Sequence, residues 1–179
     1  MNLLTTRNHV QKLPGLLLAI LLLAGMALPL LADDEYEQHA LALSTDLSQL
    51  GEQAQAEGVP VLIMFSTLSC EYCERLEEEV LAPMKMANAV STQVVIGKVE
   101  VGSGLPLHDF SGQQTSTEQF ADTYNVDVFP TVALLDSQGK MLVPMIVGYQ
   151  TPEFYAAYLD AAIEVGQTLM TPRSSNKNQ

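Results

Sequence analysis

The chain is 179 residues long, 47% apolar, and carries 8 basic against 21 acidic residues, a net charge of −13 at neutral pH. That length suits one domain of ordinary size with a real core, and so acidic a balance argues against nucleic acid or an anionic membrane as a partner. With two cysteines and three histidines in all, no second cysteine pair exists to close a four-ligand zinc site.

The first element is a leader. Residues 1–12 hold Arg7 and Lys12 and no acid, residues 13–31 are almost wholly apolar, and Ala32 precedes the polar run Asp33-Asp34-Glu35. A positive start, an apolar middle and a small residue before a polar boundary describe a secretory signal peptide over residues 1–32. Cleavage is expected after Ala32, or after Ala27. The apolar run is also about as long as a membrane span, so an uncleaved N-terminal anchor is the alternative. Both readings put residues 33 onward outside the cytoplasm, soluble in the periplasm or tethered there, because the basic end stays inside. Without Arg7 and Lys12 the net charge moves from −13 to −15.

Leu41, Leu47, Leu50 and Ala54 recur at helical spacings and predict a helix over residues 35–57, stopped by Gly58. Residues 59–65 form a continuous apolar run, the mark of a strand buried on both faces. After a turn at 66–69, a helix is expected over 70–81, with Leu76 and Val80 facing the same way as Cys73 and Glu77-Glu78-Glu79 on a solvated face. Pro83 should break it, leaving a short helix at 84–90. Residues 93–101 read as a second buried strand and 102–116 as a long polar loop. A short helix follows at 117–124, capped by Thr115, Ser116 or Thr117. Strands are expected at 131–135 and, with Pro144 marking an edge or bulge, at 141–147. Thr151-Pro152-Glu153 opens the last helix, predicted to bury Phe154, Tyr158, Ala161 and either Ile163 or Val165. Residues 171–179 are expected to be a disordered tail. The first three strands, joined by helical crossovers, should run parallel and the last two antiparallel, giving an α/β domain over residues 33–170: a mixed sheet of about four to five strands flanked by helices.

The chemistry rests on Ser69-Cys70-Glu71-Tyr72-Cys73. Two intervening residues let the sulfurs meet at the start of a helix. Cys70 sits at the positive helix end, where unpaired N–H groups stabilise a thiolate. That thiolate can attack a substrate disulfide, and Cys73, one turn deeper, can then displace the substrate. A purely structural disulfide is the bland alternative, although a bridge closing so small a loop constrains the unfolded chain little. His39 and His108 read as surface residues, and no metal or other cofactor is expected.

A cysteine pair that follows a buried strand and opens a helix resembles the thioredoxin superfamily. The resemblance covers roughly residues 38–166 and is strongest toward exported thioredoxin-like proteins of the SoxW type. Its carriers are residues 65–73, then Tyr124-Asn125-Val126-Asp127-Val128-Phe129-Pro130-Thr131, then Gly148-Tyr149 with Pro152-Glu153-Phe154. The Ser-Cys-x-Tyr-Cys part also looks like periplasmic disulfide isomerases. The resemblance implies a thioredoxin-like fold in which Pro130 is cis and packs beside the cysteines. It further implies that the Phe129 backbone pairs with an extended substrate segment and that Gly148 lets substrate backbone approach. The chain departs from cytoplasmic thioredoxins at Ser69, where they carry Trp, at the spacer, where they carry Gly-Pro, and at Met64, where they carry a buried Asp.

The spacer residues Glu71 and Tyr72 are expected to modulate the pair. A carboxylate beside Cys70 disfavours its thiolate, and hence the reduced form that strong oxidants stabilise. This favours a reductase, or a reshuffler, of disulfides in exported proteins over an oxidase. A reductant outside the cytoplasm needs a membrane thiol carrier as electron donor. The rival function is a thioredoxin-fold chaperone or an assembly factor for a metal or cytochrome protein, acting by binding.

Overall fold

The computed structural model describes residues 41–87 and 93–170. Its centre is β1 (Val61–Thr67), whose apolar run is buried on both faces. Val61, Ile63 and Phe65 enter one core layer and Leu62 and Met64 the other, the period-two alternation of a strand. Strand β2 (Val95–Val101) lies parallel to β1 along one side.

Helix α1 (Leu47–Glu57) starts later than its periodicity predicts. Asp46 caps it by accepting from the Ser48 N–H at 3.1 Å, and Gly58 ends it in the left-handed region at φ 69°. Residues 41–46 are not helical. Leu43 bridges Lys98 in parallel and the Ser44 N–H donates to the Lys98 carbonyl at 2.8 Å. The free edge of β2 thus satisfies backbone groups that the spacing of Leu41 assigned to a helix.

After β1 the chain forms α2 (Glu71–Leu76), one π turn (Glu77–Leu81) and α3 (Ala82–Met86). Pro83 does not break this run. The Ala82 N–H reaches back five residues to the Glu77 carbonyl, and the wider turn puts Pro83 in the first turn of α3, where a missing N–H costs little.

The segment read as a loop at 102–116 contains a small hairpin, β3 (Leu107–His108) with β4 (Gln114–Thr115). Fully buried Leu107 anchors it, and the Asp109 carboxylate closes its turn by accepting from the Ser111 and Gln113 N–H groups. Helix α4 (Thr117–Thr123) opens with a capping box between Ser116 and Gln119.

Strand β5 (Thr131–Leu135) pairs with the far side of β1, but antiparallel, not parallel as a crossover predicts. Val101 ends β2 opposite Thr67, and Thr131 begins β5 opposite Phe65. The connection therefore leaves and re-enters at the same end of the sheet. Seven-residue α4 is about 10 Å long, too short to carry the chain back along a seven-residue strand.

Strand β6 (Ile146–Val147) completes the order β2-β1-β5-β6. It is shorter than expected, because Pro144 can donate nothing to β5, although Met141 bridges Leu135 and the Leu142 N–H bonds Leu134. The result is a mixed four-strand sheet flanked by helices, as the sequence predicts.

Helix α5 (Pro152–Met170) buries Tyr155, Leu159, Ile163 and Gly166. Of the residues expected inside it, only Ile163 is buried; Phe154, Tyr158 and Val165 are exposed. Both faces of α5 are apolar, so periodicity does not separate them. The close approach of Leu134 to Gly166, where a Cβ would lie 2.5 Å from Cδ2, fixes which face docks.

The leader at 1–32, the expected helix start at 35–40, the end of the short helix at 88–90 and the tail at 171–179 lie outside the described residues, as does His39. Among the described residues no helix is long and apolar enough to cross a membrane.

Candidate active site

The carboxyl end of β1 delivers the cysteines. Ser69 takes a positive φ of 55°, which turns the chain so that Cys70 lands on the N-cap of α2, with extended φ −99° and ψ 94°. The Cys70 carbonyl accepts from the Cys73 and Glu74 N–H groups at 2.9 and 3.1 Å, and Cys70 Sγ accepts from the Cys73 N–H at 3.2 Å. A sulfur thus occupies the place of a capping oxygen, within reach of the donors a helix start leaves unpaired.

Cys70 and Cys73 are joined by a disulfide, with their Cα atoms 5.2 Å apart. Cys73 is 4% exposed and belongs to the core layer of Leu62, Met64, Leu76 and Val80. Cys70 is half-buried against the same layer. One sulfur therefore faces the surface and the other the interior. Glu71 and Tyr72 both point to solvent. Water and salt screen the Glu71 charge there, so its pull on Cys70 is modest.

Phe129 and Pro130 precede β5, at the sheet end that carries Cys70, since Thr131 lies opposite Phe65. The Phe129–Pro130 peptide bond is cis. Pro130 is buried, and half-buried Phe129 packs against both core layers. The Thr131 hydroxyl donates to the Val128 carbonyl at 2.8 Å. The Gly148 N–H donates to the Pro130 carbonyl, also at 2.8 Å. Gly148 takes φ +77° with open space where a Cβ would stand, a backbone conformation that glycine alone adopts freely. The fold thus links Phe129, Pro130 and Gly148 directly and sets them at the same sheet end as the cysteines.

Two networks near the pair, one around Glu77 and one around Tyr149, are not in the sequence reading, which placed Glu77 on a solvated face and named Tyr149 only among the residues that carry the resemblance. The first is Glu77, assigned above to a solvated face but 6% exposed. Its carboxylate takes Lys98 Nζ at 2.6 Å and the Leu41 N–H at 2.7 Å. Its own N–H bonds the Cys73 carbonyl. The signal was available: Glu77 follows Cys73 by four residues, inside the stripe that Leu76 and Val80 define, and Lys98 stands in the middle of a strand read as buried.

The second is Tyr149, next to Gly148. Its hydroxyl donates to Glu79 Oε2, and Arg75, 5.5 Å from the ring centroid, lies over its face while pairing with Glu79 at 3.1 Å. Helix α2 and the π turn are thereby clamped to the Gly148 loop. The hydrogen bond from Tyr149, and then that from Arg75, hold the Glu79 carboxyl below the usual range. Burial, and then the bond to Glu79, push the Tyr149 hydroxyl from 10.0 up to about 12.

A raised folded-state pKa on an acid means the unfolded chain ionises first. The stabilisation is complete below pH 10 and is lost as pH rises toward 12. Tyr124, raised by burial to about 12, shares that loss. Urea unfolding midpoints should therefore fall across this window in the wild type and fall less steeply in Tyr149→Phe. Identical slopes would show that Tyr149 does not contribute.

Among the described residues, no group of three or more His, Cys, Asp and Glu side chains is placed to hold a metal ion.

Comparison with known proteins bears on the whole arrangement. A family model described as a thioredoxin-like domain matches residues 48–163. No curated protein sequence matches the chain. Among solved structures, the chain is similar to the DsbH oxidoreductase, at 16% identity and a TM-score of 0.48, over 70% of this chain and 88% of that one. It is similar to a thioredoxin-like protein from Clostridium perfringens, at 20% and 0.47, over 76% and 91%. It is also similar to a thioredoxin-fold protein from Helicobacter pylori, at 20% and 0.46, over 76% and 98%.

Proposed function

The chain belongs to the thioredoxin-like domain family, whose fold around a Cys-x-x-Cys pair is that of a thiol–disulfide oxidoreductase, and from that premise we propose that it reduces or reshuffles disulfides in exported proteins. The observation that carries this reading is the asymmetry of the pair: Cys70 half-buried on the N-cap of α2, Cys73 buried one turn deeper.

In the reduced enzyme, Cys70 is a thiolate held by the helix start. It attacks one sulfur of a substrate disulfide. The substrate S–S bond breaks, a Cys70–substrate disulfide forms, and one substrate thiolate leaves and takes up a proton. Cys73 gives up its proton and attacks Cys70 Sγ. The mixed disulfide breaks, the second substrate sulfur leaves with its electron pair, and the Cys70–Cys73 disulfide remains. Two electrons and the one proton of Cys73 have passed to the substrate, and the second substrate thiolate takes its proton from water. A thiol donor restores the enzyme, and outside the cytoplasm a membrane thiol carrier fills that role. The Phe129 backbone, beside cis Pro130, offers an extended substrate a strand-like partner, and Gly148 leaves room for its backbone.

The leader-like residues 1–32 support export, whether cleaved as a signal or kept as an anchor. The Glu71 carboxylate beside the nucleophile, screened by solvent, adds only a small bias toward a reductant over an oxidant. The resemblance to exported SoxW-type proteins points the same way. The test is a redox titration with insulin reduction alongside. A reductase should accelerate insulin reduction by dithiothreitol and titrate nearer about −270 mV than about −120 mV. A potential at the oxidising end would reverse the assigned direction and keep the pair's chemistry.

A further inference from the structure

Ser66, near the end of β1, is 2% exposed, and its hydroxyl has no hydrogen-bond partner among the described residues. A buried hydroxyl left unpaired is costly, and such a group calls for a reason. Its place in the sheet supplies one. Along β1, Leu62 and Met64 enter the layer of Cys73 while Ile63 and Phe65 enter the other, so strand alternation puts Ser66 on the Cys73 side. Along β2, Ile96 packs into the layer of Cys73 and Val95 and Val99 into the other, so Lys98 and Glu100 also face Cys73's side. Ser66 lies directly opposite Glu100, across a strand spacing of about 4.8 Å. Glu100 is half-buried and so also meets solvent.

The Glu77–Lys98 pair fixes where α2 lies over this face. Lys98 stands opposite Met64 and meets Glu77 at 2.6 Å. Cys73 is four residues, or about 6 Å, nearer the start of the helix, which is at the carboxyl end of β1. Two strand residues toward that end, about 6.6 Å, lead from Met64 to Ser66 and from Lys98 to Glu100. Cys73 thus stands over Ser66 and Glu100 as Glu77 stands over Met64 and Lys98.

In the disulfide, Cys73 Sγ is bound to Cys70 and carries no proton. Reduction gives it one, which must leave before Cys73 attacks the mixed disulfide. Glu77 is committed elsewhere: Oε2 holds Lys98 and Oε1 holds the Leu41 N–H. Tyr149 and Tyr155, in the same layer, keep their protons at neutral pH because burial raises both. On α2 itself, Glu71 and Glu74 point to solvent and Arg75 pairs with Glu79.

We propose that Ser66 and Glu100 carry away the proton of Cys73 in the resolving step. This rests on the oxidoreductase reading and names a proton route for it. The Cys73 S–H bond breaks as Ser66 Oγ takes the proton, and the Ser66 hydroxyl passes its own proton to the Glu100 carboxylate, which reaches it by side-chain rotation. Cys73 Sγ bonds to Cys70 Sγ, the bond from Cys70 to the substrate breaks, and the substrate sulfur leaves with its electron pair. Glu100 then passes the proton through water to the substrate.

The test mixes the reduced full-length protein with dithiobis(nitrobenzoate), an aromatic disulfide whose thiolate is coloured, in a stopped-flow instrument. Attack by Cys70 releases one thiolate, and resolution by Cys73 releases the second. At pH 7 the second release should be about a hundredfold slower in Ser66→Ala and in Glu100→Gln, the lower end of what a positioned proton acceptor supplies, with the first release much less affected. The gap should narrow as pH rises past about 9, where the thiol ionises unaided. Ser66→Ala should unfold in urea no earlier than the wild type, since it removes an unpaired hydroxyl. A second release as fast as the wild type's in either variant, or a slowing that does not change with pH, would overturn the proposal. So would earlier unfolding of Ser66→Ala, which would give the hydroxyl a structural role. A wild type that releases no second thiolate would instead remove the oxidoreductase reading, and this inference with it.

Discussion

Cys70→Ser should bring insulin reduction down to the rate of the chemical thiol alone, and Cys73→Ser should accumulate a covalent adduct with its substrate. The two outcomes differ because the two sulfurs stand in different places. Cys70 is half-buried at the helix start, where donors stabilise an anion. A serine hydroxyl there is far less acidic and forms no disulfide, so no turnover remains. Cys73 is 4% exposed, too deep to meet a protein substrate first, but its backbone N–H lies 3.2 Å from Cys70 Sγ. Its removal leaves the first exchange intact and blocks the second, and the mixed disulfide persists until an external thiol cuts it. The adduct should survive denaturing electrophoresis and vanish with dithiothreitol. A structural bridge behaves otherwise: the wild type would not exceed the thiol background, and the pair would stay oxidised below about −300 mV.

The parts of this site that are written locally were legible in the sequence. The apolar run through Phe65 forms β1, the spacing from Cys70 to Cys73 opens a helix, and Pro152 at the first helical position starts α5. Each depends on neighbours within a few residues. Most of what escaped depends on partners far along the chain, and for Glu77 the local spacing marks the buried face while only the distant partner explains a charge there. Glu77 reads as one of three surface acids until Lys98, 21 residues away, is brought against it. The antiparallel course of β5 follows from which end of the sheet the chain re-enters, and no periodicity records that. Helix α5 carries two apolar stripes, one through Tyr155, Leu159 and Ile163 and one through Phe154, Tyr158 and Val165, and the contact of Leu134 with Gly166 selects the first. The same ambiguity put Phe154 and Tyr158 in the predicted core, and both face solvent.

The buried ion pair carries the largest expected effect on stability. Lys98→Ala leaves the Glu77 carboxylate, with its side chain 7% exposed, without a counter-charge. Breaking such a pair from one side costs about 3–5 kcal/mol, a large part of the roughly 5–15 kcal/mol that holds a domain together. With the usual urea dependence this is a fall of about 2 M in the unfolding midpoint. The Leu41 N–H, 2.7 Å from Glu77, offsets part of the cost and places the outcome toward the lower end. The double variant Glu77→Leu/Lys98→Met, which removes both charges and keeps the volume, should recover most of the loss. A single variant that loses less than about 1 kcal/mol would mean that the pair behaves as a surface contact. The consequence extends to the site. Lys98 lies opposite Met64 on the sheet, and Glu77 bonds back to the Cys73 carbonyl. The pair thus fastens the helix that carries both cysteines to the strand pair beneath it. Loosening it should raise the reactivity of Cys73 toward alkylating reagents in the reduced protein, under conditions where the fold as a whole is still intact.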